Sequence, residues 1–331
     1  MLRSWTVVGL VLFCSACANS PGSSFNNGGS SSGGNNGASS GGNQGDEDAS
    51  LLGSSSGGGN GSGSNCASGA GTFVYVISDA NNLYSFDPTM FPAATAFAEI
   101  GPVTCDASGV NSMAVDRSAT AWVNFNDGKI FKISTTAPVT CTPTSFMPGQ
   151  GGFTDVLGMG FVADGVDAST ETLYVSDNAG PGGTCMDQTP SPGCMGLGLG
   201  KIDTSSLTLT PIGAYTSTAA GYNAELTGTG DGRLFGFFTT TPASYGPIDV
   251  STGGTSSPAP TSVPSVSIAS GGYAFSFWGG DFYFYTAPTD TTIVTHLDST
   301  TGMTTSSAEL GFTIVGAGVS TCAPTTQPPP K

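Results

Sequence analysis

From residue 66 onward, apolar side chains alternate with polar ones at period two. The short strands this implies recur at a nearly constant interval, and the helix-favouring residues Glu and Lys are scarce. Together these features point to an all-β domain of five similar sheets set in a ring, preceded by a long segment unable to fold. Composition agrees: Gly supplies 51 of 331 residues and charged residues only 9%, against a norm of about 25%. Such a surface, made of Gly, Ser, Thr and Asn, suits an exported β-protein. Seven basic against 23 acidic side chains give a net charge of −16. That excludes a nucleic-acid binder, which needs a basic face to neutralise phosphates.

The strands come in pairs. Phe73–Ile77, Ala121–Phe125, Thr172–Val175, Arg233–Phe238 and Asp281–Tyr285 are aromatic or β-branched runs bounded by Gly, Asp and Asn. Each leads to a second short strand that ends in a polar residue and a turn: Leu83–Asp87, Lys129–Ser134, Gly200–Asp203, Pro247–Asp249 and Thr295–Asp298. The intervals are 47 residues from Asp87 to Ser134, 46 from Asp203 to Asp249 and 49 from Asp249 to Asp298. Ser134 to Asp203 is 69, and the excess matches a Gly/Pro-rich insert between Asp177 and Gly198.

Four of the five units open with a small-residue strand: Asn111–Asp116, Leu157–Phe161, Glu225–Thr229 and Gly272–Ser276. Small side chains suit the innermost strand, where neighbours crowd the axis. The first unit lacks this strand, while a spare copy, Thr313–Val319, follows the fifth. The simplest closure lets that terminal strand form the inner edge of the first unit. A β-sandwich or parallel β-helix gives neither the 47-residue period nor a strand displaced to the far end. The pattern resembles the β-propeller family, with units most similar to NHL and YVTN-type repeats. The resemblance covers residues 66–322 and implies a five-bladed propeller closed by a C-terminal strand, with 323–331 as a disordered tail. Blade four is weakest at its outer strand, the Pro-rich stretch Pro258–Val266. The aromatics Tyr75, Trp122, Tyr174, Phe235 and Tyr283 fall at one repeated strand position and are assigned to the core between blades. Trp278 is expected at an exposed turn.

The first 16 residues hold one basic residue, Arg3, an apolar run from Trp5 to Phe13, and small residues before Cys17. This is a secretory signal, too short for a stable membrane span. Ser15-Ala16-Cys17 resembles the lipobox of bacterial lipoproteins, although Cys14 stands where that family usually has Leu. The resemblance implies lipidation at Cys17 and, with Ala18 next, an outer-membrane anchor facing either the periplasm or the cell surface. Two or three acyl chains hold a protein stably, at about 0.8 kcal/mol per buried CH₂. Of the 48 residues from Ala18 to Asn65, 37 are Gly, Ser or Asn. Nothing in such a stretch offsets its ordering entropy, so residues 17–65 read as a disordered tether spanning about 40 Å.

With Cys14 lost and Cys17 lipidated, six cysteines remain in an exported chain, so disulfides are expected. Six allow fifteen pairings. On the propeller reading Cys66 and Cys322 meet at the closing blade, Cys105 lies near Cys141, and Cys185–Cys194 closes a ten-residue loop in the insert. The loop-entropy model gives the first of these about 5 kcal/mol.

Chemistry is harder to find. The single His, His296, sits mid-strand beside Leu297, so neither a nucleophile–His–acid triad nor a His-rich zinc site is expected. In the family, carboxylates frame the central opening, sometimes with Ca²⁺. The acids predicted there are Asp79, Asp106, Asp127, Asp155, Asp177, Asp187, Glu225 and Asp290. Asp79, Asp127 and Asp177 belong to turn sequences, where Asx side chains bond their own backbone. Asp155 and Glu225, beside inner strands, are the candidate cation or ligand residues, with Asp177 as a third. No metal ligand set is otherwise evident, and Ca²⁺ is the one cofactor the acids leave room for. Two functions follow: a monomeric, lipid-anchored envelope protein presenting the propeller to a protein or glycan, with the insert as a contact element, or a propeller hydrolase or lyase working through carboxylates or Ca²⁺. The first is the expectation.

Overall fold

The computed structural model describes residues 65–178, 195–268 and 272–329. The signal, Cys17, the tether and the proposed Cys185–Cys194 pair, with Asp187, lie outside them. The described residues form five four-stranded antiparallel sheets. Blade one contains β1 (Val74–Ser78), β2 (Asn82–Phe86) and β3 (Phe97–Pro102). Blade two is β4 (Val110–Val115), β5 (Thr120–Phe125), β6 (Ile130–Ser134) and β7 (Cys141–Pro143). Blade three is β8 (Leu157–Ala163), β9 (Glu171–Asp177), β10 (Leu199–Ile202) and β11 (Leu209–Gly213). Blade four is β12 (Ala224–Gly228), β13 (Leu234–Phe238), β14 (Ser244–Ile248) and β15 (Thr261–Ser262). Blade five is β16 (Tyr273–Trp278), β17 (Asp281–Thr286), β18 (Ile293–Leu297) and β19 (Thr304–Ser306). The last strand, β20 (Ile314–Val319), becomes the inner strand of blade one.

Closure follows the expected route. β20 runs antiparallel to β1, with Val319 opposite Val74, Gly318 opposite Tyr75 and Ala317 opposite Val76. The inner strands touch in the order β20, β4, β8, β12, β16 and back to β20, which completes a five-bladed β-propeller. Five apolar clusters hold the ring, one between each pair of neighbouring blades. Tyr75, Trp122, Phe235 and Tyr283 each enter a different cluster, and Tyr174 packs against the fifth. The repeated aromatic is therefore the residue with which each blade grips the next.

The small inner strands have a steric cause. A Cβ on Gly158 would strike the Ala224 carbonyl, and one on Gly228 the Phe161 carbonyl. β8 and β12 approach so closely that only hydrogen fits between them. The acids ending each third strand are equally local in purpose. Asp87, Asp203, Asp249 and Asp298 accept the backbone N–H two residues on, from Thr89 (3.0 Å), Ser205, Ser251 and Thr300 (each 2.8 Å). In blade two the Ser134 hydroxyl does the same work, accepting from the Thr140 N–H at 2.9 Å. These are Asx and Ser turns reversing the chain into the outer strand.

Cys66–Cys322 and Cys105–Cys141 are both formed. Three expectations change. The tail expected to hang free from residue 323 lies on blade five as far as it is described: Gly279 donates to the Pro324 carbonyl (2.8 Å) and Gln327 Nε2 to Asp281 Oδ2 (2.5 Å). Its start is fixed by Cys322, and the buried Asp281 supplies an acceptor within reach. Trp278 is buried at 4% exposure, not exposed, because its indole N–H donates to the Gly71 carbonyl (2.9 Å) of the incoming chain. The outer strand of blade four shrinks to two residues, Thr261 and Ser262.

Candidate functional site

One face of the wheel carries the turns between second and third strands and the connections between blades; this is the mouth face. The other carries the remaining turns and both ends of the domain, and is the seam face. Glu225, the second residue of β12, points inward just below the mouth and is 3% exposed. Its Oε2 accepts from the Ser112 hydroxyl of β4 at 2.6 Å, across the glycines of β8, and its Oε1 from Asn178 Nδ2 at 3.2 Å. Asn178 is fixed in turn, since its Oδ1 accepts from the Ser176 hydroxyl (2.9 Å) and the Ala224 N–H (3.0 Å). One carboxyl thus ties blades two, three and four together at the axis.

Burial pushes the Glu225 carboxyl well above the ordinary carboxylate range, and the Ser112 bond offsets only part of that. Among the described residues no lysine, arginine or histidine pairs with it. Burial of this kind favours the neutral form of the carboxyl. Beside it Tyr215 is buried at 3% exposure. Burial raises its phenol as well, the Ser176 side chain offsets part of that, and the Asp177 and Glu225 carboxyls add to it.

The other two candidates do not join Glu225. Asp155 is exposed, and its carbonyl serves as acceptor for Asn124 Nδ2 (3.1 Å). Asp177 is buried, but its Oδ1 takes the Thr154 N–H (2.9 Å) and hydroxyl (2.6 Å), and its Oδ2 the Leu197 N–H (2.9 Å). It clamps the two strands of chain at the base of the insert. Among the described residues no three His, Cys, Asp or Glu side chains gather so as to hold a metal ion. Of the remaining mouth acids, Asp127 pairs with Lys129 (3.0 Å), while Asp106 and Asp290 contribute backbone carbonyls to Lys129 and Thr313. His296 lies in β18, stacked on Tyr283 with centroids 4.9 Å apart and bonded to Asp281 at 2.8 Å, so it packs as expected.

A second polar cluster, on the seam face, escaped the sequence. Arg117 and Glu171 are joined through Thr321, whose hydroxyl donates to Glu171 Oε2 (2.7 Å) and accepts from Arg117 Nη1 (3.3 Å). Arg117 also reaches Cys66 Sγ (3.4 Å), and its backbone N–H donates to Glu171 Oε1 (2.7 Å). Burial raises Glu171 to about 7 despite the bonds from Thr321 and the Arg117 backbone. A lone Arg in a turn carries no sign of this partnership in the sequence.

Open concavities lie at the blade rims. On the mouth face a hollow of about 700 Å³ is floored by Phe131 and Phe146 and edged by Lys129. On the seam face, two hollows of about 410 and 370 Å³ flank Arg233 in blade four.

No family model and no curated protein matches this chain. Solved structures that resemble it include a chain of the nidogen/laminin complex, at 9% identity and TM-score 0.45, covering 75% of this chain and 97% of that one. TolB from Acinetobacter baumannii gives 13% identity and TM-score 0.35, covering 71% of this chain and 51% of its own. Apo AztD from Citrobacter koseri gives 10% and 0.36, covering 74% and 97%.

Proposed function

We propose that this chain is a lipid-anchored cell-envelope protein, acylated at Cys17, whose propeller is a binding module. The observation that carries this reading is the distribution of its polar groups. The two buried acids at the mouth, Glu225 and Asp177, are spent on internal bonds that stiffen the wheel, whereas the solvent-facing hollows sit at the blade rims. A rigid scaffold with peripheral grooves fits capture of a partner better than turnover at an axial site. Two disulfides fit an exported chain and an envelope address.

Two measurements test it. Labelling with an alkyne fatty acid in a bacterial host is expected to vanish in Cys17→Ala and persist in Cys14→Ala; label retained in Cys17→Ala overturns the anchor. The purified chain is expected to bind envelope material saturably and to melt at the same temperature with or without Ca²⁺. A second reading, a carboxylate-dependent hydrolase, rests on Glu225, since a buried protonated carboxyl is what a general acid requires. Hydrolysis of an envelope glycan that is lost in Glu225→Gln would replace the binding module with that reading.

A further inference from the structure

The seam face of blade four presents a half-exposed Arg–Asp pair between two hollows. Arg233 immediately precedes β13, with its guanidinium laid over two aromatic rings, 5.5 Å from the Phe235 centroid and 5.8 Å from that of Phe277. One edge of the fork is taken by Asp231: Nε lies 3.0 and 3.1 Å from its two oxygens and Nη2 lies 2.9 Å from Oδ2. The plane is thereby fixed, while about half of the side chain stays in solvent. The two hollows on either side of Arg233 share both it and Pro247 among their walls, so they adjoin at the guanidinium, and together they are termed the cleft. Toward blade five the cleft is walled by the half-buried Tyr245, which packs on Phe282 at 5.0 Å. Small residues, among them the exposed Ala259, keep this wall low.

We propose that this cleft is a subsite for a linear neutral oligosaccharide. The proposal rests on the binding-module reading and names its ligand class. Three features select that class. First, the cleft includes a partly accessible aromatic ring, Tyr245, which offers an apolar surface to the C–H face of a sugar. Second, Asp231, itself held by the Thr229 hydroxyl, fixes the plane of the Arg233 guanidinium and leaves its outer N–H groups as paired donors at fixed spacing for adjacent hydroxyls. Third, Asp231 already neutralises Arg233, and the chain as a whole carries −16. Anionic ligands are repelled by the whole and gain no unpaired cation at the site, so a neutral ligand is the complement.

The test is isothermal titration of the full mature chain with gluco-, manno- and N-acetylglucosamine oligomers of four to six units. At least one series is expected to bind. Arg233→Ala and Tyr245→Ala should each weaken it about tenfold or more, the size of one charge-assisted hydrogen bond. Arg233→Lys, which keeps the charge but not the fork, should also lose affinity. Ala259→Trp, an added bulk at an exposed position, should abolish binding with no drop in melting temperature, which separates blockage from misfolding. Lys201→Ala on blade three is the control expected to leave binding intact. Saccharide binding unchanged in Arg233→Ala and Ala259→Trp overturns the cleft and leaves the binding module standing. No binding to any series, with binding to envelope protein retained or a proline-rich peptide preferred, overturns the ligand class. Absence of all envelope binding removes the parent reading itself.

Discussion

The seam within blade one, where β20 meets β1, and the rim of blade four are built from the same strand pattern and are fastened to very different degrees. At the seam β20 pairs with β1 along its length, Cys66 is bonded to Cys322, Trp278 reaches Gly71, and Gln327 anchors the tail to Asp281. At the rim of blade four the outer strand has only Ser262 opposite Ser244 and Thr261 opposite Tyr245, and hollows open on both sides of Arg233. A ring has one place where sequence continuity does not hold neighbours together. Here that place has been reinforced until it is the tightest part, which leaves looseness to be tolerated elsewhere. Blade four itself is split: its inner strand bears the Glu225 network, and its outer edge bears almost nothing.

The largest effect should come from opening the seam. Cys322→Ala frees a loop of 256 residues, and the expected loss of about 5 kcal/mol should appear in calorimetry as a fall of about 10–20 °C. A fall under about 3 °C would mean that strand pairing alone closes the ring. Next comes the inner edge of blade four. Glu225→Ala strands the Ser112 hydroxyl and the Asn178 amide, at a cost of about 2–4 kcal/mol in urea melts. Glu225→Gln, isosteric with the protonated acid, should cost under about 1 kcal/mol at pH 7. A Gln variant as damaged as the Ala variant would show the carboxylate to be charged.

A smaller effect concerns Glu171, whose carboxyl is raised from 4.5 to about 7. Between those values the folded state holds more protons than the unfolded one, so stability must fall as pH rises. The contribution is complete below about pH 4.5 and gone above about 7. Glu171→Gln should flatten that part of the melting-temperature profile, and an unchanged slope would assign it to other groups, Glu225 first. Smallest of all is the rim: Thr261→Gly, exposed and at the edge, should stay within about 0.5 kcal/mol. A larger loss there would erase the contrast between seam and rim.

The features legible in the sequence are those that a short window or a fixed spacing carries. Period-two runs such as Phe73–Ile77 and the displaced strand at 314–319 are of this kind, as are the cysteines bracketing the domain, because each blade is built from contiguous hairpins. Asp87, Asp249 and their equivalents were visible as a rule, an acid with Ser or Thr two or three residues on, since the bond they make is local. What stayed hidden depends on chain segments far apart. Asp177 reads like a mouth acid and is in fact bound to Thr154 and Leu197. Trp278 reads as exposed until Gly71 arrives from the other end of the chain. The Glu225–Ser112 bond spans 113 positions, and nothing near either residue announces the other. The cleft at Arg233 is the space left when blades four and five fail to cover each other, which no pattern of residue types encodes.

The Cys66–Cys322 bond has a mechanical meaning. Any load transmitted along the chain from its N-terminal side arrives at Cys66, before β1 begins. There it divides, one share passing to the first strand and the other across the sulfurs into the strand beside it. The two partners are tugged from the same end at once, so their hydrogen bonds are not peeled apart one by one. The joint takes the load, and the closure of the ring is spared.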